Sequence, residues 1–307
     1  MKILIIKPSS LGDVIHALRV VYQIKENNRF VQIDWVIKSE LQPILSASGF
    51  VKKVYLFERG AGLINFIKLI KVIRKKKYDY VLDLQGLLRS ACLLKFALSK
   101  YKLGVADGRE FSTLFYKSVG EKSRKLEIHA LDRLVPFLAN LGIQDFNKKL
   151  SLDFPKSKVS GVTQKILGEK KFILLFPESR RKEKVWPFFR ELTESLSKIS
   201  SLNLVVSGNI PDRQFIHAID LRGKVGLDEL PELINRSELV VSNDSAPLHI
   251  ASALGKPLVA LFGPTSMKRY GPYPTNFEKS SIISARDGKI DSITVSEVEL
   301  MIEKLLG

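Results

Sequence analysis

Between Glu238 and Ser266 the chain reads ELVVSNDSAPLHIASALGKPLVALFGPTS. The cluster Asn243-Asp244-Ser245-Ala246-Pro247 holds the turn and cap residues with which helices start. Before it lies an apolar, β-branched run, Leu239–Ser242, and after it a small-residue segment, Leu248–Leu254, that stops at Gly255. A second apolar run, Pro257–Phe262, follows. Strand, cap, helix, glycine stop and strand make a βαβ unit, whose helix opens at the carboxyl edge of a parallel sheet. There the first backbone N–H groups and the positive end of the helix dipole attract an anion, most often a phosphate. Small side chains at Ser245, Ala246 and Ala251 let a bulky ligand approach the backbone. The same residues also suit an ordinary capped turn, and His249 in the first helical turn suits a buried structural histidine.

Gly12-Asp13 ends the loop Pro8–Asp13, which leaves the first apolar run, Lys2–Ile6. A carboxylate there can take a proton from an attacking alcohol, or cap the helix that follows. Lys182-Glu183-Lys184-Val185-Trp186-Pro187 occupies the corresponding edge of the second half. A lysine there can neutralise a diphosphate, with Arg180, Arg181 and Lys182 competing for the task. Asp212, just beyond Ser207-Gly208-Asn209, can accept from ribose hydroxyls or cap a helix. Gly60-x-Gly62-x-x-Asn65 lacks the third glycine of the dinucleotide fingerprint, and there is no P-loop pattern. With no Asp-x-Asp pair and scattered histidines, neither a cofactor nor a metal is expected.

Leu63 to Lys75 is a separate signal. Lys68, Lys71 and Lys75 fall on one helical face, and Leu63, Ile64, Phe66, Ile67, Leu69, Ile70, Val72 and Ile73 cover most of the rest. Such a helix either packs on a sheet with its lysines solvated or rests on an anionic membrane, where each lysine contributes about 1 kcal/mol. Arg109, in the polar loop Ala106–Phe111, joins these lysines as a candidate contact for an acidic acceptor or a membrane. A formal charge of +17 calls for a polyanionic partner: nucleic acid, an anionic membrane surface or a phosphorylated substrate. Nucleic-acid surfaces interleave cations with exposed aromatics, whereas Arg74–Lys77 has only Tyr78 beside it, so no nucleic-acid partner is expected.

These residues need a scaffold of alternating strands and helices, and the sequence supplies it. Strands are expected over Lys2–Ile6, Val31–Ile37, Lys53–Phe57, Tyr78–Leu82 and Tyr101–Val105, with helices over Val14–Lys25, Gly62–Arg74, Leu87–Leu98 and Ile128–Leu141. After a polar stretch, Asn147–Lys170, the alternation restarts with Phe172–Phe176, Pro187–Ile199, Asn203–Ser207, a helix from Asp212, and Leu227–Ile234. The expectation is an α/β protein of two Rossmann-like, doubly wound domains, 1–155 and 156–307, facing across a cleft. The closing helix, Val295–Leu306, is placed where it can pack back on the first domain. One cysteine, Cys92, excludes an internal disulfide and suits a reducing cytoplasm. The opening MKILIIKPSS has too short an apolar run for a signal peptide, and no segment approaches a membrane span.

Five segments, in order, resemble glycosyltransferase family 9, the ADP-heptose:lipopolysaccharide heptosyltransferases. They are Lys2-Ile3-Leu4-Ile5-Ile6-Lys7 with Ser9-Ser10-Leu11-Gly12-Asp13; Asp83-Leu84-Gln85-Gly86-Leu87 with Ser90-Ala91; Lys184-x-Trp186-Pro187; Asn243-Asp244-Ser245 with His249; and Gly263-Pro264-Thr265. Of these, Asp83–Leu87 is most similar to heptosyltransferase I, which acts first on the inner core; a type II or III enzyme is the alternative. The resemblance implies the GT-B arrangement of the two domains, inversion at the anomeric carbon and no metal. It implies an acceptor, Kdo-bearing lipid A, held by the first half at the anionic inner leaflet of the cytoplasmic membrane, and ADP-heptose held by the second. By matching position, Asp13 is the catalytic carboxylate and Lys184 meets the diphosphate. Ser179, Asp244, Ser245, Ala246 and His249 line the donor, with Asp212 and Val225 near the nucleoside. Ala246 stands where many members have glycine, so backbone contact there requires a negative φ. The enzyme is thus expected to be cytoplasmic and peripheral on the inner membrane face.

Overall fold

A computed structural model describes every residue except 123–126, 149 and 210–213. It divides into two compact units, Met1–Leu150 and Ser151–Gly307. The first is built on β1 (Lys2–Ile6), β2 (Gln32–Ile37), β3 (Lys53–Leu56), β4 (Lys77–Asp83), β5 (Leu98–Val105) and β6 (Lys117–Val119), in the order β3-β2-β1-β4-β5-β6. The second uses β7 (Phe172–Phe176), β8 (Asn203–Val206), β9 (Ile219–Asp220), β10 (Leu239–Asn243), β11 (Leu258–Phe262) and β12 (Ser280–Ser284), in the order β12-β11-β10-β7-β8-β9. All pairings in both sheets are parallel. Central strands such as β7, β10 and β11 are buried along their whole length, which is why they read as unbroken apolar runs rather than alternating ones.

Each sheet reverses its winding once. In the first unit the reversal falls between β1 and β4, and in the second between β7 and β10. Connections on the two sides of such a point leave in opposite directions, opening a crevice at the carboxyl edge where ligands bind in this architecture.

The second unit's core gathers Trp186, Phe189, Leu192 and Leu196 against the sheet, with Val298 and Ile302 from the closing helix Val295–Leu306. That helix therefore packs within the second unit. Burying each such side chain contributes about 1.5–3 kcal/mol. In the first unit, Phe66, Leu69, Ile70 and Ile73 from the helix Gly62–Ile73, and Leu93 and Leu94 from Leu88–Phe96, pack on one face of the sheet.

The helix expected over Ile128–Leu141 is a run of turns followed by a short helix, Pro136–Asn140. Pro136 lacks an N–H and its ring clashes with a preceding turn, so it starts a helix rather than continuing one. The stretch read as a polar linker contains a helix, Gly161–Leu167, capped by Ser160, whose hydroxyl accepts from the Thr163 N–H. Edge strands β6 and β12 were not expected: Lys117-Ser118-Val119 is short, and Ser280-Ser281-Ile282-Ile283-Ser284 follows no clear turn signal.

Candidate active site

The helix Ala246–Leu254 starts directly at the end of β10 and stops at Gly255, which takes the left-handed conformation (φ 72°). Ser245 precedes it in extended conformation, and its hydroxyl lies 3.3 Å from Ser242 Oγ instead of capping the first turn. The helix entrance is thus left without a side-chain cap, and its first N–H groups stay open to an anion. Ala246 is helical and not among the positive-φ residues, so its methyl group leaves the backbone approachable.

Across the switch point, the turn Lys182–Lys184 follows β7. Two residues on, Trp186 is fully buried; its Nε1 donates to Ile293 O at 2.8 Å and its ring meets Phe189 edge-on at 5.1 Å. The Trp186 N–H also donates to Asn243 Oδ1 at 3.1 Å, tying this turn to the end of β10. Held this way, Lys184 Nζ donates to Asp244 Oδ2 at 2.5 Å, and Thr265 Oγ1 donates to the same oxygen at 2.6 Å. Ser179 reaches the Asp244 carbonyl at 3.4 Å. Gly263 lets the chains meet this closely: a Cβ there would stand 2.9 Å from Ile290 Cβ and 3.3 Å from Glu183 O. Ser179, Lys184, Asp244, Ser245 and Ala246 therefore share one carboxyl edge, where an ammonium, an acceptor carboxylate and a helix entrance converge. His249 is buried in the same helix. Val225 is half-buried in the loop after β9, on the far side of the same edge, and Asp212 lies outside the described residues.

In the first unit, Asp13 sits in the first turn of the helix Leu11–Asn27, beside the switch point. Its Oδ2 accepts from the Ser10 N–H at 3.1 Å and from Ser10 Oγ at 2.8 Å, while the buried Lys7 Nζ stands 3.6 Å away. Its side chain keeps 42% of its exposure, so it both closes the helix start and faces solvent. Asp83, at the end of β4, is completely buried and fully committed. Its Oδ1 accepts from Gln85 and Gly86 N–H groups at 2.9 and 3.0 Å, and its Oδ2 from Ser90 Oγ at 2.9 Å. Burial pushes its carboxyl up to about 6, against the opposing pull of those hydrogen bonds and of the Lys7 charge. Asp83 shapes the loop, whereas Asp13 is presented.

The cationic candidates divide. Arg109 is exposed, and its N–H donates to Gly86 O at 2.8 Å, placing it at the same carboxyl edge as Asp13. Lys68 and Lys71 are exposed on the helix Gly62–Ile73, but Lys75 lies in the turn beyond its end. Among the described residues no group of three or more His, Cys, Asp or Glu is arranged to hold a metal ion. Sequence reasoning assigned no role to Lys7, and took Asn243 only as part of the turn and cap cluster, not as the acceptor that ties down the Trp186 N–H. Lys7 directly follows the strand expected over Lys2–Ile6, and only the switch point turns it toward Asp13 and Asp83.

Residues 66–291 match the family described as glycosyltransferase family 9 (heptosyltransferase). The lipopolysaccharide core heptosyltransferase OpsX of Haemophilus influenzae is 26% identical over 289 residues, covering 88% of this chain and 81% of its own. Lipopolysaccharide heptosyltransferase 1 of Campylobacter coli is 26% identical over 312 residues, covering 91% and 88%. Among solved structures, the Escherichia coli heptosyltransferase WaaC with ADP superposes with a TM-score of 0.81 at 23% identity, over 99% of this chain and 100% of that one. A family 9 glycosyltransferase from Veillonella parvula gives 0.84 at 22% identity, over 99% and 97%. These superpositions show the fold, two doubly wound domains of the GT-B class.

Proposed function

The chain belongs to glycosyltransferase family 9, the heptosyltransferases, and we propose that it moves heptose from ADP-heptose to the Kdo of a lipid A-linked inner core, with inversion and without a metal. The observation that carries this reading is the convergence of Lys184, Asp244, Thr265 and the uncapped helix entrance at one switch point. ADP leaves readily once its charge is met, and a lysine with a helix N-terminus meets it in the absence of a divalent ion. Asp244 would repel a diphosphate, so its role is to hold Lys184 and to accept from sugar hydroxyls. Ser179, Ser245, Ala246 and His249 line the donor, with Asp212 and Val225 toward the nucleoside.

Inversion needs one base for the acceptor hydroxyl and no protein nucleophile. Asp13 fills that role, since it is exposed and held by Ser10 and Lys7. As the hydroxyl oxygen bonds to the anomeric carbon, its proton passes to the Asp13 carboxylate and the bond to the ADP oxygen breaks. Arg109, Lys68 and Lys71 offer charge to an acidic acceptor. No helix among the described residues is long and apolar enough to cross a membrane, and a lipid-linked acceptor calls for peripheral attachment at the inner face of the cytoplasmic membrane. Incubating the full chain with ADP-heptose and a panel of truncated lipopolysaccharide acceptors, then weighing the products, tests the reading. A single heptose added to a heptose-free, Kdo-bearing acceptor is expected. Addition only to heptose-bearing acceptors would assign a type II or III reaction, and no addition to any would refute the transfer.

A further inference from the structure

An amphipathic helix packed on a sheet normally turns its apolar residues inward. The helix Gly62–Ile73 does so only in part. Ile73 is buried and Phe66, Leu69 and Ile70 pack on the sheet, but Leu63 and Ile64 remain 71% and 72% exposed, and Ile67 faces solvent beside them. Single exposed apolar residues need no explanation, whereas a cluster does. This cluster continues across neighbouring elements. Helix Leu88–Phe96 lies alongside, tied on at both ends: Arg89 Nη1 donates to Arg59 O at 3.0 Å, and Arg74 Nη1 to Phe96 O at 2.9 Å. Its first residue, Leu88, is exposed, and the Leu88 N–H donates to Glu110 at 3.1 Å. Next along the chain, Phe111 and Leu114 are 81% and 79% exposed. Glu110 and Phe111 both hold positive φ (56° and 59°), a conformation that costs a bulky residue energy and here keeps the Phe111 ring out in solvent.

The helix Gly62–Ile73 and its flanks carry charge of one sign, while Glu58 just before them and Glu110 beside Phe111 are the acidic neighbours. Between Arg59 and Tyr78 the chain carries Arg59, Lys68, Lys71, Arg74, Lys75, Lys76 and Lys77 and no acidic residue. Lys76 is engaged with the buried Asp34, while Lys68, Lys71, Arg74 and Lys75 are exposed. Apolar side chains at one level and cations close behind them match the two layers of an anionic bilayer surface: acyl boundary and phosphate headgroups.

We propose that the rim formed by Leu63, Ile64, Ile67, Leu88, Phe111 and Leu114, backed by Lys68, Lys71, Arg74 and Lys75, is a docking surface that inserts into an anionic lipid bilayer. The proposal rests on the reading of a lipid-linked acceptor for its purpose and on this surface for its evidence. It differs from a purely electrostatic lysine face, because the apolar rim makes the insertion and the cations select the lipid.

Vesicles of phosphatidylglycerol and phosphatidylethanolamine, free of any sugar acceptor, are the probe, with pure phosphatidylcholine vesicles as the neutral control. The full chain is expected to float with the anionic vesicles and not with the neutral ones. Leu63→Asp/Ile64→Asp alters only exposed positions, so melting and ADP binding stay parental while vesicle affinity falls by about tenfold or more. Lys68→Glu/Lys71→Glu should weaken binding by about fivefold or more per site and flatten its salt dependence. Failure of the parent chain to bind anionic vesicles would overturn the proposal. So would a folded Leu63→Asp/Ile64→Asp variant that binds like the parent, or equal binding to neutral vesicles. Turnover on a soluble, deacylated acceptor separates the two readings. Its absence in the parent chain with both heptose-free and heptose-bearing deacylated acceptors refutes the proposed transfer and leaves the vesicle result standing. Its retention in the Asp variant, with vesicle binding lost, supports both.

Discussion

Lys184 carries two possible jobs, and a double substitution separates them. Its ammonium is paired with Asp244, whose side chain is only 5% exposed, and Thr265 is the other donor to the same oxygen. Lys184→Met removes the charge and leaves a buried carboxylate held by one hydroxyl, which costs about 3–5 kcal/mol. At about 2–4 °C per kcal/mol for a unit of this size, the melting temperature should fall by roughly 10 °C. If Lys184 also meets the diphosphate, ADP binding loses a charge-assisted contact of about 1.5–3 kcal/mol, roughly 10–150-fold in Kd. Adding Asp244→Asn removes the stranded charge, and the amide oxygen still accepts from Thr265. Lys184→Met/Asp244→Asn should therefore melt near the parent temperature and still bind ADP weakly. Asp244→Asn alone takes a negative charge away from the anion and should bind ADP no more weakly than the parent. Titration calorimetry and thermal melts on all four proteins decide the matter. If ADP affinity recovers together with stability in the double variant, Lys184 is a structural partner of Asp244 and the diphosphate assignment fails.

Asp13→Asn keeps an oxygen to accept from the Ser10 N–H but is no base, so melting and ADP binding should stay parental while turnover drops by about 10²–10⁴-fold; near-parental turnover would move the role to another group. Asp83, raised from 3.8 to about 6, binds more protons folded than unfolded between those pH values, so stability falls as pH rises through that window. The loss is up to about 3 kcal/mol by pH 7, and Asp83→Asn should flatten it in melts run from pH 4 to pH 7. Gly86 holds φ 68°, and a Cβ there would lie 2.5 Å from Val105 Cγ2 and 3.1 Å from Gly108 Cα. Gly86→Ala should cost the first unit about 2 kcal/mol or more, and a parental denaturation midpoint would show that the loop relaxes without strain.

Most of the architecture is legible because parallel sheets announce themselves. Buried strands such as Phe172–Phe176 and Leu258–Phe262 are apolar throughout, and helices between them carry cap and stop residues at readable positions. What escapes is short or marginal. Lys117–Val119 and Ser280–Ser284 are edge strands with little apolar content, so pairing with a neighbour defines them more than their own residues do. The apolar pattern Ile128–Leu141 reads as one helix because hydrophobic periodicity ignores the missing N–H of Pro136. At the site, turn and cap chemistry flags Asp13 and Asn243–Pro247. The pairing of Lys184 with Asp244 is invisible because 60 residues separate them in the chain. Leu63 and Ile64 mislead in the opposite direction. Their sequence pattern is that of a core face, and only the exposed first turn of the helix shows otherwise.

Both sheets place a lysine against an aspartate at the switch point, yet the two pairs are suited to different work. Lys184 and Asp244 touch at 2.5 Å with side chains 15% and 5% exposed, so the carboxylate is spent on fixing the ammonium. Lys7 and Asp13 stand 3.6 Å apart with side chains 8% and 42% exposed, so the ammonium is enclosed and the carboxylate is presented. In the first case a ligand meets a positioned cation, and in the second an anion held in place from behind. Turn residues precede the aspartate in both sequences, and neither motif reveals which partner is enclosed. That depends on what each loop packs against. Trp186 anchors the lysine-bearing turn in the second core, whereas in the first unit the lysine follows β1 directly and the aspartate rides on the mouth of a helix. Under the proposed transfer, this difference suits the second unit's pair to a leaving diphosphate and the first unit's pair to a proton.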